Sequence, residues 1–345
     1  MNRNISKKIS FITIAALLFL SACKPYEYFD IEILEPAELF FPQDIQNLMV
    51  AHNIFPTGAD TIGKPFMIYG QPGNDSIYID TAMARAAINS LTGMLNFTGK
   101  FTVVVEDSLE RKFPKYAKEF TRDDVGYIRH LCEFNSADAF ILLNELEHLN
   151  SYDVFLSKSG DYFGEFETII KTEWLFINPF TSKLIDEKII LDTIYYQVEP
   201  LNINEDNNGF EARKWTLAQA AGISGNSYGT HISPHYVRSS RMVFIKGDKN
   251  IKTGYQQAQS GNWKNAAYFW RKSLNSSERK IQARASFNLA LASEMEGLLE
   301  PALQWAKGSY HYFPDTLNAT YISILQERVK QQEDLILQMG DGDAR

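Results

Sequence analysis

Two cysteines, Cys23 and Cys132, stand in 345 residues, too few for a disulfide framework, so stability must come from apolar cores. Six histidines are scattered. Only His231 and His235 are spaced four apart as metal ligands on one helix face would be, and Pro234 between them breaks the turn that would align them. No glycine-rich phosphate loop occurs, so neither a cofactor nor a metal is expected. Positive charge is also short: the net charge is −8, which repels phosphate backbones and argues against nucleic acid. Apolar content is not short. At 45% hydrophobic and 13% aromatic, disorder is excluded and about two domains are expected.

The N-terminus carries Arg3, Lys7 and Lys8 ahead of the apolar run Ile9–Leu20, broken only by Ser10 and Thr13. A spanning helix needs roughly 20 apolar residues and this run offers about a dozen, so it reads as a signal peptide over 1–22. Leu20-Ser21-Ala22-Cys23 resembles the lipobox of bacterial lipoproteins. The resemblance implies that Cys23 is lipidated and that 23–30 is a tether holding the protein on a membrane; an ordinary small-residue cleavage site with a chance cysteine nearby is the alternative. Lys24, by the same resemblance, favours the outer membrane, with the protein facing the periplasm. Processing removes three positive charges and leaves Cys132 without a mate.

An α+β fold is expected over 31–245, a mixed sheet with flanking helices and a long β-hairpin. Tyr28–Leu34 reads as a first strand. A Pro/Gly-rich excursion runs through Pro56, Gly58, Gly63, Pro65, Pro72 and Gly73. The spacing then predicts a helix over 79–95, a strand over 101–105, a helix through Val125, Ile128 and Cys132 capped by Asp123-Asp124, and a buried strand over 137–143. Strands over 167–177 and 185–196 form an antiparallel hairpin whose turn begins Asn178-Pro179. Ala137–Leu143 and Trp174–Glu187 resemble the small α/β domain shared by the N-terminal part of the Tol-system propeller protein, the curli secretion lipoprotein and the lipoprotein activators of peptidoglycan synthases. That resemblance implies an envelope assembly factor; an unrelated α+β sheet is the alternative.

Laid on itself at a shift of 36, the C-terminal part repeats: Gly254 meets Ala290, Gly261 meets Gly297, Ala266 meets Ala302, and Ser273 meets Ser309. With Pro314 as a helix-ending position, this framework resembles the tetratricopeptide repeat. The resemblance implies an all-α domain over 246–340, a helical pair followed by a capping helix from about Leu317, with 341–345 as a tail. Such helices either hold a peptide or protein partner or only buttress the α/β domain.

Among chemical motifs, Gly225-Asn226-Ser227-Tyr228-Gly229 matches the nucleophile-elbow string, but helix formers precede it where a strand is required. Six of 19 aspartates are followed by Ser or Thr and then an aliphatic residue, at Thr61, Ser76, Thr81, Ser108, Thr193 and Thr316. The triplet resembles the acceptor of a bacterial periplasmic O-glycosylation system, and Asp-Thr starts of helices and strands are the alternative. The reading reached is a non-enzymatic, lipid-anchored scaffold or assembly factor of the cell envelope with an unidentified protein partner. The runner-up is a carbohydrate-binding lipoprotein with Trp263, Trp270 and Trp305 as exposed stacking platforms.

Overall fold

The computed structural model describes residues 24–40, 44–55, 66–68, 71–73, 80–106, 109–199 and 208–339. Cys23, Thr61, Ser76 and Ser108 lie outside them. The chain is α+β and folds as two units: Pro36–His235, and a second that joins the segment ending at Glu35 to Tyr236–Arg345.

The first unit is built on three long strands, β6 (Ala139–Leu156), β7 (Tyr162–Asn178) and β8 (Lys183–Val198), antiparallel in that order. The two expected hairpin strands are β7 and β8. Asn178 Oδ1 sets their turn by accepting the backbone N–H of Phe180 and Thr181, both at 3.0 Å. The other side of β6 is shared. Its first half runs parallel to β2 (Asn47–His52), which runs parallel to β5 (Thr102–Glu106), and its second half runs parallel to β3 (Phe66–Ile68), which pairs with β4 (Gln71–Gly73).

Helices cover both faces at the β2 end, so Leu48, Met49, Val50 and Ala51 are all fully buried and β2 is a continuous apolar run. One layer is α1 (Asp80–Phe97) with the long helix α3 (Asn208–Ile232); they pack Met83, Ile88, Leu91, Leu217 and Tyr228 against Leu48, Val50, Ile141 and Trp174. The other is α2 (Arg122–Phe134), whose Ile128 and Cys132 meet Met49, Phe140 and Leu175. Burial drives the Cys132 thiol up to about 12. The cap of α2 is Thr121, not the expected Asp123-Asp124 pair: Asp124 N–H donates to Thr121 Oγ1 at 3.2 Å and Thr121 N–H to Asp124 Oδ2 at 2.8 Å. This is a capping box, in which Asp124 supplies the returning side chain.

In the second unit β1 (Tyr26–Glu35) pairs with β9 (His235–Phe244). Ile245 N–H donates to Pro25 O at 2.9 Å and Ser240 Oγ to Asp30 at 2.6 Å, so the strands run antiparallel. Two helical hairpins follow, α4 (Lys249–Gln259) with α5 (Trp263–Ser273) and α6 (Arg279–Met295) with α7 (Leu299–Tyr312), closed by α8 (Thr316–Met339). Both ends of the expected 31–245 domain thus lie elsewhere: β1 and β9 belong with the helices, where Val243 and Phe244 enter the helical cores. No helix among the described residues is long and apolar enough to cross a membrane.

Candidate functional site

The helical unit carries a groove of about 190 Å³ floored by Tyr26, Phe244, Phe313 and Leu317 and bordered by Lys280 and Arg284. The two cations stand four apart on α6 and therefore on one helix face. Each lies over a ring, Lys280 Nζ at 5.6 Å from the centroid of Phe313 and the Arg284 guanidinium at 5.4 Å from that of Phe244. Arg284 also donates to Lys246 O at 2.7 Å, and burial lowers its pKa. The carboxylate at the rim, Asp315, is committed as the cap of α8, accepting Asn318 N–H at 2.8 Å. The arrangement suits an apolar side chain next to a carboxylate. Apart from Leu317, expected only as the start of a capping helix, these residues belong to no sequence motif; the spacing of Lys280 and Arg284 is the available signal.

Buried polar groups around the groove are spent on holding the unit together. Asn288, fully buried in α6, accepts Phe244 N–H and donates to Phe244 O, both at 2.8 Å, replacing a strand partner at the end of β9. Glu294 is fully buried and receives Arg241 Nε at 3.0 Å, Arg328 at 2.6 Å and the Tyr321 hydroxyl at 2.7 Å, tying β9, α6 and α8 together. Burial, with the Glu294 charge beside it, holds the Tyr321 hydroxyl well above the usual phenol range.

The first unit has a polar crevice of about 280 Å³ between Asn53, Lys112, Lys115, Asn144 and Glu145. Asn53 binds both backbone groups of Phe113, donating to its carbonyl at 3.1 Å and accepting its N–H at 2.8 Å. Asn144 donates to Lys115 O and to the buried Glu173 carboxylate. Glu145 and Glu147 alternate on the open face of β6, in mid-strand, and pair with Lys115 and Lys171. His148, the residue after Glu147, is buried.

The nucleophile-elbow string lies inside α3. Ser227 therefore sits within a helix, and no strand enters it. Its glycines serve packing: a Cβ at Gly229 would come within 2.7 Å of Met94 Cγ, and one at Gly225 would overlap the backbone carbonyl of Ala87. With Gly222, whose Cβ would lie 2.9 Å from Ser90 Oγ, they let α3 lie directly on α1. His231 and His235 are not brought together as ligands. His231, in the last turn of α3, has Nδ1 at 2.8 Å from Glu38 and Nε2 at 3.3 Å from Asp186, while His235 opens β9. The hydrogen bond from His231 holds the Glu38 carboxyl below its usual range.

The expected tryptophan platforms are not exposed. Trp270 is fully buried against Gly254 and donates to Ile251 O at 3.2 Å, and Trp263 and Trp305 are half-buried against the cores. Of the described acceptor-like triplets, Thr81 and Thr316 stand in the first turns of α1 and α8, the latter capped by Asp315, and Thr193 lies exposed in β8. The repeat positions recur in equivalent places. Ala266 and Ala302 are buried, as are Gly254 and Ala290, Pro314 lies between α7 and α8, and Gly261 and Gly297 end α4 and α6 with the same φ of +74°.

No curated protein matches the sequence. Among solved structures, a neuraminyllactose-binding hemagglutinin homolog from Helicobacter pylori is 13% identical, covering 64% of this chain and 92% of its own with a TM-score of 0.30. The PelC dodecamer from Paraburkholderia phytofirmans is 8% identical, with coverage of 59% and 98% and a TM-score of 0.27. Rare lipoprotein B from Shewanella oneidensis is 18% identical, with coverage of 33% and 88% and a TM-score of 0.19. Likeness of that degree assigns no function. A family model described as a domain of unknown function, DUF6340, matches residues 252–327, over most of the helical unit. A second, DUF8603, also described as a domain of unknown function, matches residues 46–244, more than half of the chain, and the protein belongs to that family.

Proposed function

We propose that this protein is a non-enzymatic lipoprotein, anchored in the outer membrane through Cys23, that scaffolds or assists a cell-envelope complex by binding another protein. The observation that carries the reading is the groove beside β1: an apolar floor with Lys280 and Arg284 on its border, in a chain that is otherwise acidic. A protein segment with an apolar residue followed by a carboxylate meets both demands, the floor by burial and the border by charge-assisted contact. The tetratricopeptide-like repeat supports the same role, because helical hairpins present side chains from α6 and α8 to one shared groove.

The test is photo-crosslinking in living cells from a reactive side chain at Leu317. A discrete adduct that disappears on Lys280→Glu, with the circular dichroism spectrum unchanged, is the expected result. No adduct, or one indifferent to Lys280→Glu, removes the groove as the binding surface. The non-enzymatic part is tested separately. A fluorophosphonate probe that labelled the natural chain and spared Ser227→Ala would show hydrolase chemistry at that serine.

A further inference from the structure

β8 has one neighbour among the described residues, β7. It is 16 residues long, carries no proline, and keeps an unbroken register with β7 from Glu187 to Val198. Shortness, proline and bulges, three of the usual protections of a sheet edge, are thus missing over this stretch, and its charges, Glu187, Lys188 and Asp192, are of mixed sign. On its open face stand Ile189, Leu191 and Tyr195, exposed by 56%, 70% and 58%. Thr193 N–H donates to the Asp192 carboxylate at 2.8 Å, so this N–H points away from β7. The odd-numbered residues therefore present their backbone groups to the edge, because hydrogen-bonding direction alternates along an antiparallel strand.

We infer that β8 pairs antiparallel with β8 of a second copy of this chain, about a two-fold axis through Ile190. A two-fold axis normal to the sheet keeps the helix-covered face on one side. Only residues of the same parity can then face each other, and every register is centred on a residue. Centred on Lys188 or Asp192, the register sets that charge against itself; centred on Ile189, it sets Asp186 against Asp192; centred on Leu191, it leaves Lys188 facing Ile194 and Asp192 facing Ile190. Centred on Ile190, Lys188 of each copy faces Asp192 of the other, and Ile189 of each faces Leu191 of the other. The outward backbone groups of Ile189 and Leu191 then form the hydrogen-bonded pair. Asp192 exchanges Thr193 N–H for the lysine, and that N–H turns to Glu187 O of the second copy. Lys188 is free to turn outward, since its contact with Glu38 is 3.4 Å long and at the surface. The inference goes beyond the envelope-partner reading, since it concerns the other unit and requires no second protein.

The experiment measures the mass of the purified full chain by sedimentation over a concentration series, with disulfide trapping beside it. A concentration-dependent dimer is expected. Lys188→Asp and Asp192→Lys should each weaken it about tenfold or more by placing like charges opposite, and the double exchange Lys188→Asp with Asp192→Lys should restore it. Ile190→Cys faces its own mate in a non-hydrogen-bonded pair about 4.5 Å apart at Cα, within disulfide reach, so mild oxidation should link it. Leu191→Cys lies diagonal to its mate at roughly 7–8 Å and should not link. Cys132 is buried and silent in this assay. A chain that stays monomeric, a dimer indifferent to both charge variants, or linking at Leu191→Cys without Ile190→Cys overturns the inference.

Discussion

At the scale of single residues, the glycines of α3 carry a packing constraint that composition conceals. Gly225→Ala puts a methyl group against the Ala87 carbonyl. The helices must separate, at a cost of about 1–3 kcal/mol for overpacking. A urea midpoint lowered accordingly, beside an unchanged Ser227→Ala variant, is the expected outcome. Glu294 is the more severe case. Glu294→Gln leaves the buried Arg241 and the nearby Arg328 without their counter-charge, and loss of one partner from such a cluster costs about 3–5 kcal/mol. Equilibrium unfolding in urea measures it.

Cys132 gives a pH-dependent expectation. Its folded thiol is raised from 9.0 to about 12 by burial, so the fold retains a proton that the unfolded chain gives up. Its contribution to stability is full below pH 9.0 and falls as pH rises toward 12. Stability of Cys132→Ala should therefore decline less steeply over that range than that of the natural chain. Maleimide labelling of the natural thiol at neutral pH should track unfolding.

At the scale of elements, the two hairpins of the helical unit share one turn. Asn262 N–H reaches Gln257 O and Gly261 N–H reaches Ala258 O; 36 residues on, Leu298 N–H reaches Ser293 O and Gly297 N–H reaches Glu294 O. Both are Schellman closures with glycine in the left-handed region. Gly261→Ala and Gly297→Ala should each destabilise by about 1–2 kcal/mol, read by thermal melting, although no atom lies within 4 Å of either added methyl group. This turn was legible in the sequence because glycine recurs at a fixed shift, as the hairpin of β7 and β8 was from its turn chemistry and β-branched runs. β2 was not. An apolar strand covered on both faces shows no alternation, and Leu48–Ala51 has none. The true length of β6 was hidden because its second half turns polar, with Asn144, Glu145, Glu147 and Asn150 bonded to neighbouring strands and loops. The groove escaped because its floor is gathered from three separate segments, and only contact in space reveals that Tyr26 and Phe313 share it.

At the scale of the whole molecule, the helical unit borrows its outer cover from β1 and β9. A fragment from Lys246 to Arg345 lacks Val243 and Phe244, which enter both helical cores, and should be molten. Residues 24–35 joined by a short turn to 236–345 restore the ribbon and should melt cooperatively; circular dichroism on both fragments decides. At the same scale, Cys23→Ser should accumulate unprocessed precursor and leave the fold of either unit unchanged. Normal processing of that variant would contradict the lipid anchor.

The β1 and β9 ribbon also sets a clock. The whole first unit, Pro36–His235, is strung between the two strands, so in a chain delivered across a membrane from its N-terminus β1 arrives well before the strand that completes it. Through that time the apolar side chains of β1, Ile31 and Ile33 among them, have no native partner in the nascent chain, while the inserted unit has all of its own. The first unit can therefore finish folding first and the helical unit last, although β1 precedes the first unit in the chain.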